Sequence, residues 1–191
     1  MHTQPDHPEV AGSSQHEVTE PAIRRGVRIG IDVGQVRVGM AASDPDGMVA
    51  FPVRTLNRDV DGLADLDEVI QECCEREAIE IVVGLPRSLS GDEGVAAERA
   101  RAYAQQLDER CPERTVRLWD ERLTTVDAHR SLHDSGVKSR DHRARIDQAA
   151  AVLILQGALD AERRLGAPQG HVLGQRKPRK PRAKRRGGPA V

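Results

Sequence analysis

Aromatic side chains are almost missing: Phe51, Tyr103 and Trp119 are the whole set in 191 residues. A platform that stacks unpaired bases needs several, so single-strand base reading is set aside and recognition of backbone and shape stays open. Lysine is scarce as well, with only Lys138, Lys177, Lys180 and Lys184 among 29 basic residues. Arginine suits bidentate phosphate contact, although codon bias in a GC-rich genome yields the same composition. Cysteine is limited to Cys73, Cys74 and Cys111. With no C-x-x-C spacing and no even pairing, a zinc knuckle is excluded and a reducing compartment is expected. No apolar run approaches membrane-spanning length. The opening "MHTQPDHPEVAGSSQHEVTE" has no signal-peptide core. No G-x-x-x-x-G-K-[ST] occurs, so there is no P-loop. These absences imply a soluble, cytoplasmic protein.

What is present is unevenly charged. Residues 174–191, "GQRKPRKPRAKRRGGPAV", hold eight Lys or Arg and no acid. Residues 1–173 therefore keep 21 basic against 30 acidic groups, a charge of about −9. An acidic body that collects carboxylates, with an arm suited to polyanions, fits this profile. Residues 1–25 lack periodicity and read as a disordered leader. Residues 167–191 read as a disordered basic tail. One domain is expected over 26–166, long enough to bury about 70% of its unfolded surface.

"VRIGIDVG" (27–34) alternates Ile29, Ile31 and Val33 against Arg28, Gly30 and Asp32, a strand pattern. "VRVGMAAS" (36–43) and "MVAFPVRT" (48–55), joined through the turn signal "DPDG", complete an antiparallel meander. The period then changes. Leu63, Leu66, Ile70 and Cys73 or Cys74 share one helical face, "IEIVVG" (79–84) is a buried strand, and a helix runs through about Arg110. "TVRLW" (115–119) is a fifth strand. "TTVDAHRSLHDSG" has a capping-box start at Thr124 and Asp127, and a last helix spans about Arg143 to Leu165. This order predicts an α/β fold: a mixed five-stranded sheet with helices on both faces.

Three carboxylates stand out. Asp32 lies inside an apolar strand, where an ionised group needs a partner or a metal. Gly30 and Gly34 beside it leave room for something bulky, or else Asp32 pairs with Arg28 on the same face. Glu121 follows the fifth strand, as a ligand at the sheet's end or a solvated turn residue. Asp120 should point to the opposite face. Asp147 heads the small-residue stripe of Ala150, Ala151, Ile154 and Ala158, either for chemistry or because a helix dipole favours an acid in its first turn. Together, three hard oxygen donors suit Mg²⁺ or Mn²⁺. Two such ions about 4 Å apart can activate water against a phosphodiester. His129 and His133 have i, i+4 spacing without H-E-x-x-H and read as surface residues. Arg87 in "GLPRSLSG" stands where a loop either meets a phosphate or merely turns.

The stretches "GIDVGQVRVGMAASD" (30–44), "VVGLPRSLSGDEG" (82–94), "YAQQL" (103–107), "DERLTT" (120–125) and "DQAAAVLIL" (147–155), in this order, resemble the YqgF/RuvX family of bacterial ribonuclease H-like proteins. The match spans about 27–160. The resemblance implies a ribonuclease H-like fold and an acidic metal site on Asp32, Glu121 and Asp147. It implies a nuclease that matures the 5′ end of pre-16S rRNA, with two Mg²⁺ or Mn²⁺ ions. Alternatives within the resemblance are a dimeric resolvase of four-way DNA junctions and an RNA-binding ribosome-assembly factor. Arg37, Arg87 and Arg122 are the expected backbone contacts. "GIDVG" alone also suits actin-like ATPases, but those need two such units and this chain has room for one. The family often has an aromatic where Tyr103 sits, and it often has bulky residues where this chain has Gly157 and Ala158, a departure. The basic tail inherits nothing from the family.

Overall fold

The computed structural model describes residues 24–87, 94–123 and 140–174. Strands β1 (Arg28–Val33), β2 (Arg37–Ser43) and β3 (Ala50–Asn57) form the meander, followed by helix α1 (Ala64–Glu75), β4 (Glu80–Leu85), α2 (Val95–Arg110) and β5 (Thr115–Asp120). A 3-10 turn (Glu121–Leu123), the long helix α3 (Arg140–Leu165) and a short β6 (His171–Val172) close the chain. The sheet order is β3-β2-β1-β4-β5-β6. Strands β1, β4 and β5 run parallel, while β2, β3 and β6 are antiparallel to their neighbours. This is the mixed α/β sheet expected, with six strands in place of five.

The extra strand lies inside the tail expected to begin at 167. Gly170, at φ +103°, makes the turn that returns the chain, and His171 and Val172 then pair with Leu118 and Arg117. The leader also reaches less far than 25, because Arg24 is tied to Glu80 and Glu162 at 2.7 and 2.8 Å. β3 starts two residues later than the pattern suggested. The Asp44 carboxylate accepts the N–H groups of Met48 (2.8 Å) and Val49 (2.7 Å), so these stay in the turn. The helix expected over 124–136, with His129 and His133, lies outside the described residues.

Period-two alternation sorts the strands into two cores. Ile29, Ile31 and Val33 join Met40, Val83 and Leu118 in the core under α1 and α2. On the other face, Ala41, Val82 and Trp119 pack beneath Ala151, Ile154 and Leu155 of α3. Glycines set the height of α3 over the sheet. A Cβ at Gly30 would lie 2.6 Å from Leu155 Cβ, and one at Gly39 would run into the Asp147 carbonyl. Only a bare backbone allows that approach. Thr55 Oγ1 donates to the Ala144 carbonyl at 2.7 Å, and Gln156 Oε1 accepts the Ala50 N–H at 2.9 Å, pinning the helix along β3.

The far end of α3 is fixed by charge. Glu162 accepts from Arg24 (2.8 Å) and Arg28 (3.2 Å), and Glu80 from Arg24 (2.7 Å) and Arg117 (2.8 Å). All but Arg24 are buried. Removing one member of such a group strands its partner without water, a loss of about 3–5 kcal/mol. The group clamps the C-terminal half of α3 to β1, β4 and β5.

Candidate active site

Asp32 is the fifth residue of β1, on the α3 face with Gly30. Its antiparallel partner is Gly39. Along β4 it lies one step beyond the Ile31–Val83 pair, beside Gly84. Glu121 follows β5, two residues after Trp119, and so emerges on the same face. Its Oε1 lies over Gly84, 2.7 Å from where a Cβ would stand. Gly84 is thus the seat of the Glu121 carboxylate. Both acids lie at the carboxyl ends of parallel strands, the usual position for a ligand crevice in an open α/β sheet.

Their proximity has an electrostatic signature. Burial first, and then the charges of Asp32 and Asp120, together push the Glu121 carboxyl up to about 7. Asp120 itself belongs to the opposite face, as alternation requires. It lines a groove of about 280 Å³ with Leu85, Arg87, Arg101 and His171. Arg122 donates to it at 2.7 Å and Arg87 stands 3.9 Å away. The Arg122 hydrogen bond, outweighing burial, holds Asp120 below the usual carboxylate range.

Asp147 completes the picture only in part. The approach of α3 over Gly39 puts its backbone next to Asp32's strand partner. Its carboxylate, however, accepts from Arg37 Nε at 2.5 Å, with both side chains about a quarter exposed. Among the described residues no three His, Cys, Asp or Glu side chains have the spacing of a metal cage. Of the three expected carboxylates, Asp32 and Glu121 lie close enough for the charge of one to act on the other, and Asp147 is engaged by Arg37. The expected backbone contacts divide as well. Arg37 stands at Asp147, whereas Arg87 and Arg122 gather at Asp120 on the α2 side of the sheet.

The alternative of an Asp32–Arg28 pair does not hold, because Arg28 bonds Glu162. The two residues are also four positions apart in one strand, about 13 Å. The room left by the flanking glycines is filled from within. Gly30 admits α3, and a Cβ at Gly34 would press on the Arg37 carbonyl at 2.6 Å. Gly39 and Gly84, which seat Asp147 and Glu121, were not singled out from the sequence. Their signal was a glycine interrupting an apolar strand.

With this geometry in place, comparison with known proteins is informative. A family model described as "RuvX: Holliday junction resolvase" matches residues 26–161. The chain belongs to the RuvX family. A Kineococcus radiotolerans relative named "Putative pre-16S rRNA nuclease" is 54% identical over 166 residues, covering 87% of this chain and 88% of that protein. A relative of the same name from Frankia casuarinae is 56% identical over 142 residues, covering 74% and 70%. Among solved structures, Thermus thermophilus RuvC matches with a TM-score of 0.49 at 12% identity, over 76% of this chain and 99% of that one. No helix among the described residues is long and apolar enough to cross a membrane.

Proposed function

We propose that this RuvX-family chain is a metal-dependent nuclease that hydrolyses phosphodiesters of precursor 16S rRNA. The observation that carries the proposal is the Asp32–Glu121 pair: two carboxylates on one face at the strand ends, where burial and then the Asp32 charge push Glu121 up to about 7. A divalent cation is the natural relief for such repulsion, and the donors are the hard oxygens that Mg²⁺ or Mn²⁺ prefers. Asp32 and Glu121 fit it directly, and Asp147 becomes available once Arg37 turns away. When bound, the metal would supply a Lewis acid for water activation and charge neutralisation. The protein's own part is positional. Gly84 and Gly39 let a carboxylate and a helix backbone meet at the strand ends, and α3 excludes water behind Glu121. Arg37, at the mouth, offers a planar cation to the backbone phosphate.

The names of the relatives favour ribosomal RNA, while the family's own description favours a four-way DNA junction. Both substrates belong in one gel assay, each incubated with the protein and Mg²⁺ or Mn²⁺. Cleavage of the rRNA precursor is expected. The Asp32→Asn variant should lose at least a hundredfold in rate while still binding RNA. Undiminished cleavage by that variant would reject the site, and cleavage of the junction alone would reassign the substrate.

A further inference from the structure

Among the described residues, Arg37 is bonded to one of the candidate ligands, Asp147, and its setting suggests a task beyond phosphate contact. Its backbone is fixed. Arg37 opens β2, and its carbonyl accepts the Gly34 N–H at 2.9 Å, closing the tight turn that follows Asp32's strand. Its side chain is then the movable part, a long stem with a guanidinium about a quarter exposed. The guanidinium meets Asp147 through a single 2.5 Å bond from Nε, and no second bond to that carboxylate accompanies it. A bidentate fork would be harder to displace. The Asp147 backbone that carries this carboxylate stands against Gly39, the strand partner of Asp32.

We propose that Arg37 is the site's own counter-cation, seated on Asp147 until a divalent ion takes that carboxylate and sends the guanidinium to the substrate phosphate. The inference rests on the nuclease reading above and adds a regulatory step to the same site. A divalent ion that takes the Asp147 oxygen bonded by Arg37 Nε is repelled by the guanidinium held there. Metal entry and Arg37 release are therefore one exchange, which keeps α3 seated over a carboxylate-rich pocket before metal arrives. The exchange also delivers a phosphate-binding group as the metal site fills.

The test is Mn²⁺ binding to the full-length protein by isothermal titration, without substrate. Removing the competitor in Arg37→Gln should tighten Mn²⁺ binding about tenfold. Arg37→Lys, which keeps the charge, should stay within about threefold of wild type. The gain should vanish when Arg37→Gln is added to Asp147→Asn, because the two residues act through one bond. Equal or weaker Mn²⁺ binding by Arg37→Gln overturns the exchange, as does a gain that survives in the Asp147→Asn background. Asp32→Asn serves as the control for the underlying reading. If it binds Mn²⁺ as wild type does, the metal site itself is misplaced. If it binds weakly while Arg37→Gln shows no gain, only the exchange fails.

Discussion

Glu121→Gln should make the metal-free protein more stable at alkaline pH, by an amount the structure sets. Glu121 is raised from 4.5 to about 7, by burial first and by Asp32 and Asp120 after it. That gap corresponds to roughly 3 kcal/mol between its two protonation states. The sign follows from proton linkage. The folded state holds this proton more tightly than the unfolded chain, so ionisation opposes folding. The penalty is absent below about pH 4.5, grows as pH rises, and is complete above about pH 7. Glutamine keeps the shape and cannot ionise.

The stability gain of the variant should therefore run from about 0.2 kcal/mol at pH 4, through about 1 at pH 5, to about 3 at pH 8.5. Any constant effect of the substitution cancels when these differences are compared across pH. Urea unfolding in EDTA reads it directly as a pH-dependent separation of midpoints. Adding Mg²⁺ at a hundred times its dissociation constant should return about 2.7 kcal/mol to the wild type and much less to the variant. A separation that changes by less than about 0.5 kcal/mol between pH 5 and 8.5, within extrapolation error, would refute the reasoning. Glu121 would then titrate as an ordinary exposed glutamate, not as one pressed between α3 and Asp32.

Two further substitutions test the scaffold. Gly39→Ala places a methyl into the Asp147 backbone carbonyl, which cannot step aside as a side-chain tip could. A stability loss of about 3 kcal/mol or more and weakened Mn²⁺ binding are expected, checked by thermal unfolding and titration. Glu162→Gln leaves Arg28 buried beside a neutral group and should lose roughly 3 kcal/mol in urea unfolding. Because Glu162 lies at the far end of α3, Mn²⁺ affinity should change little.

Much of the fold was legible because strand and helix periods are local. Ile29, Ile31 and Val33 announced both the strand and the face it buries, and of the expected α1 face Leu66 and Cys73 are buried, whereas Leu63 and Ile70 are half-buried and Val69 fills the core between them. β6 was not legible. Two residues carry no period, and its existence depends on a left-handed glycine and an open edge on β5. The site divides along the same line. Residues set by register could be read: Asp32 in β1, and Asp120 and Glu121 on opposite faces after β5. What could not be read is the partner each side chain takes across elements. The glycines beside Asp32 signalled a close approach, but the approaching bodies are α3 at Gly30 and the Arg37 carbonyl at Gly34 rather than a ligand. The same helix that crowds Gly30 brings Asp147 down on Gly39 and under Arg37. A glycine in an apolar strand thus reports that something comes near without naming it. Here three of them, Gly30, Gly39 and Gly84, together define the track along which one helix and one carboxylate are lowered onto the sheet. The acidic pair exists because that track ends where β1, β4 and β5 end.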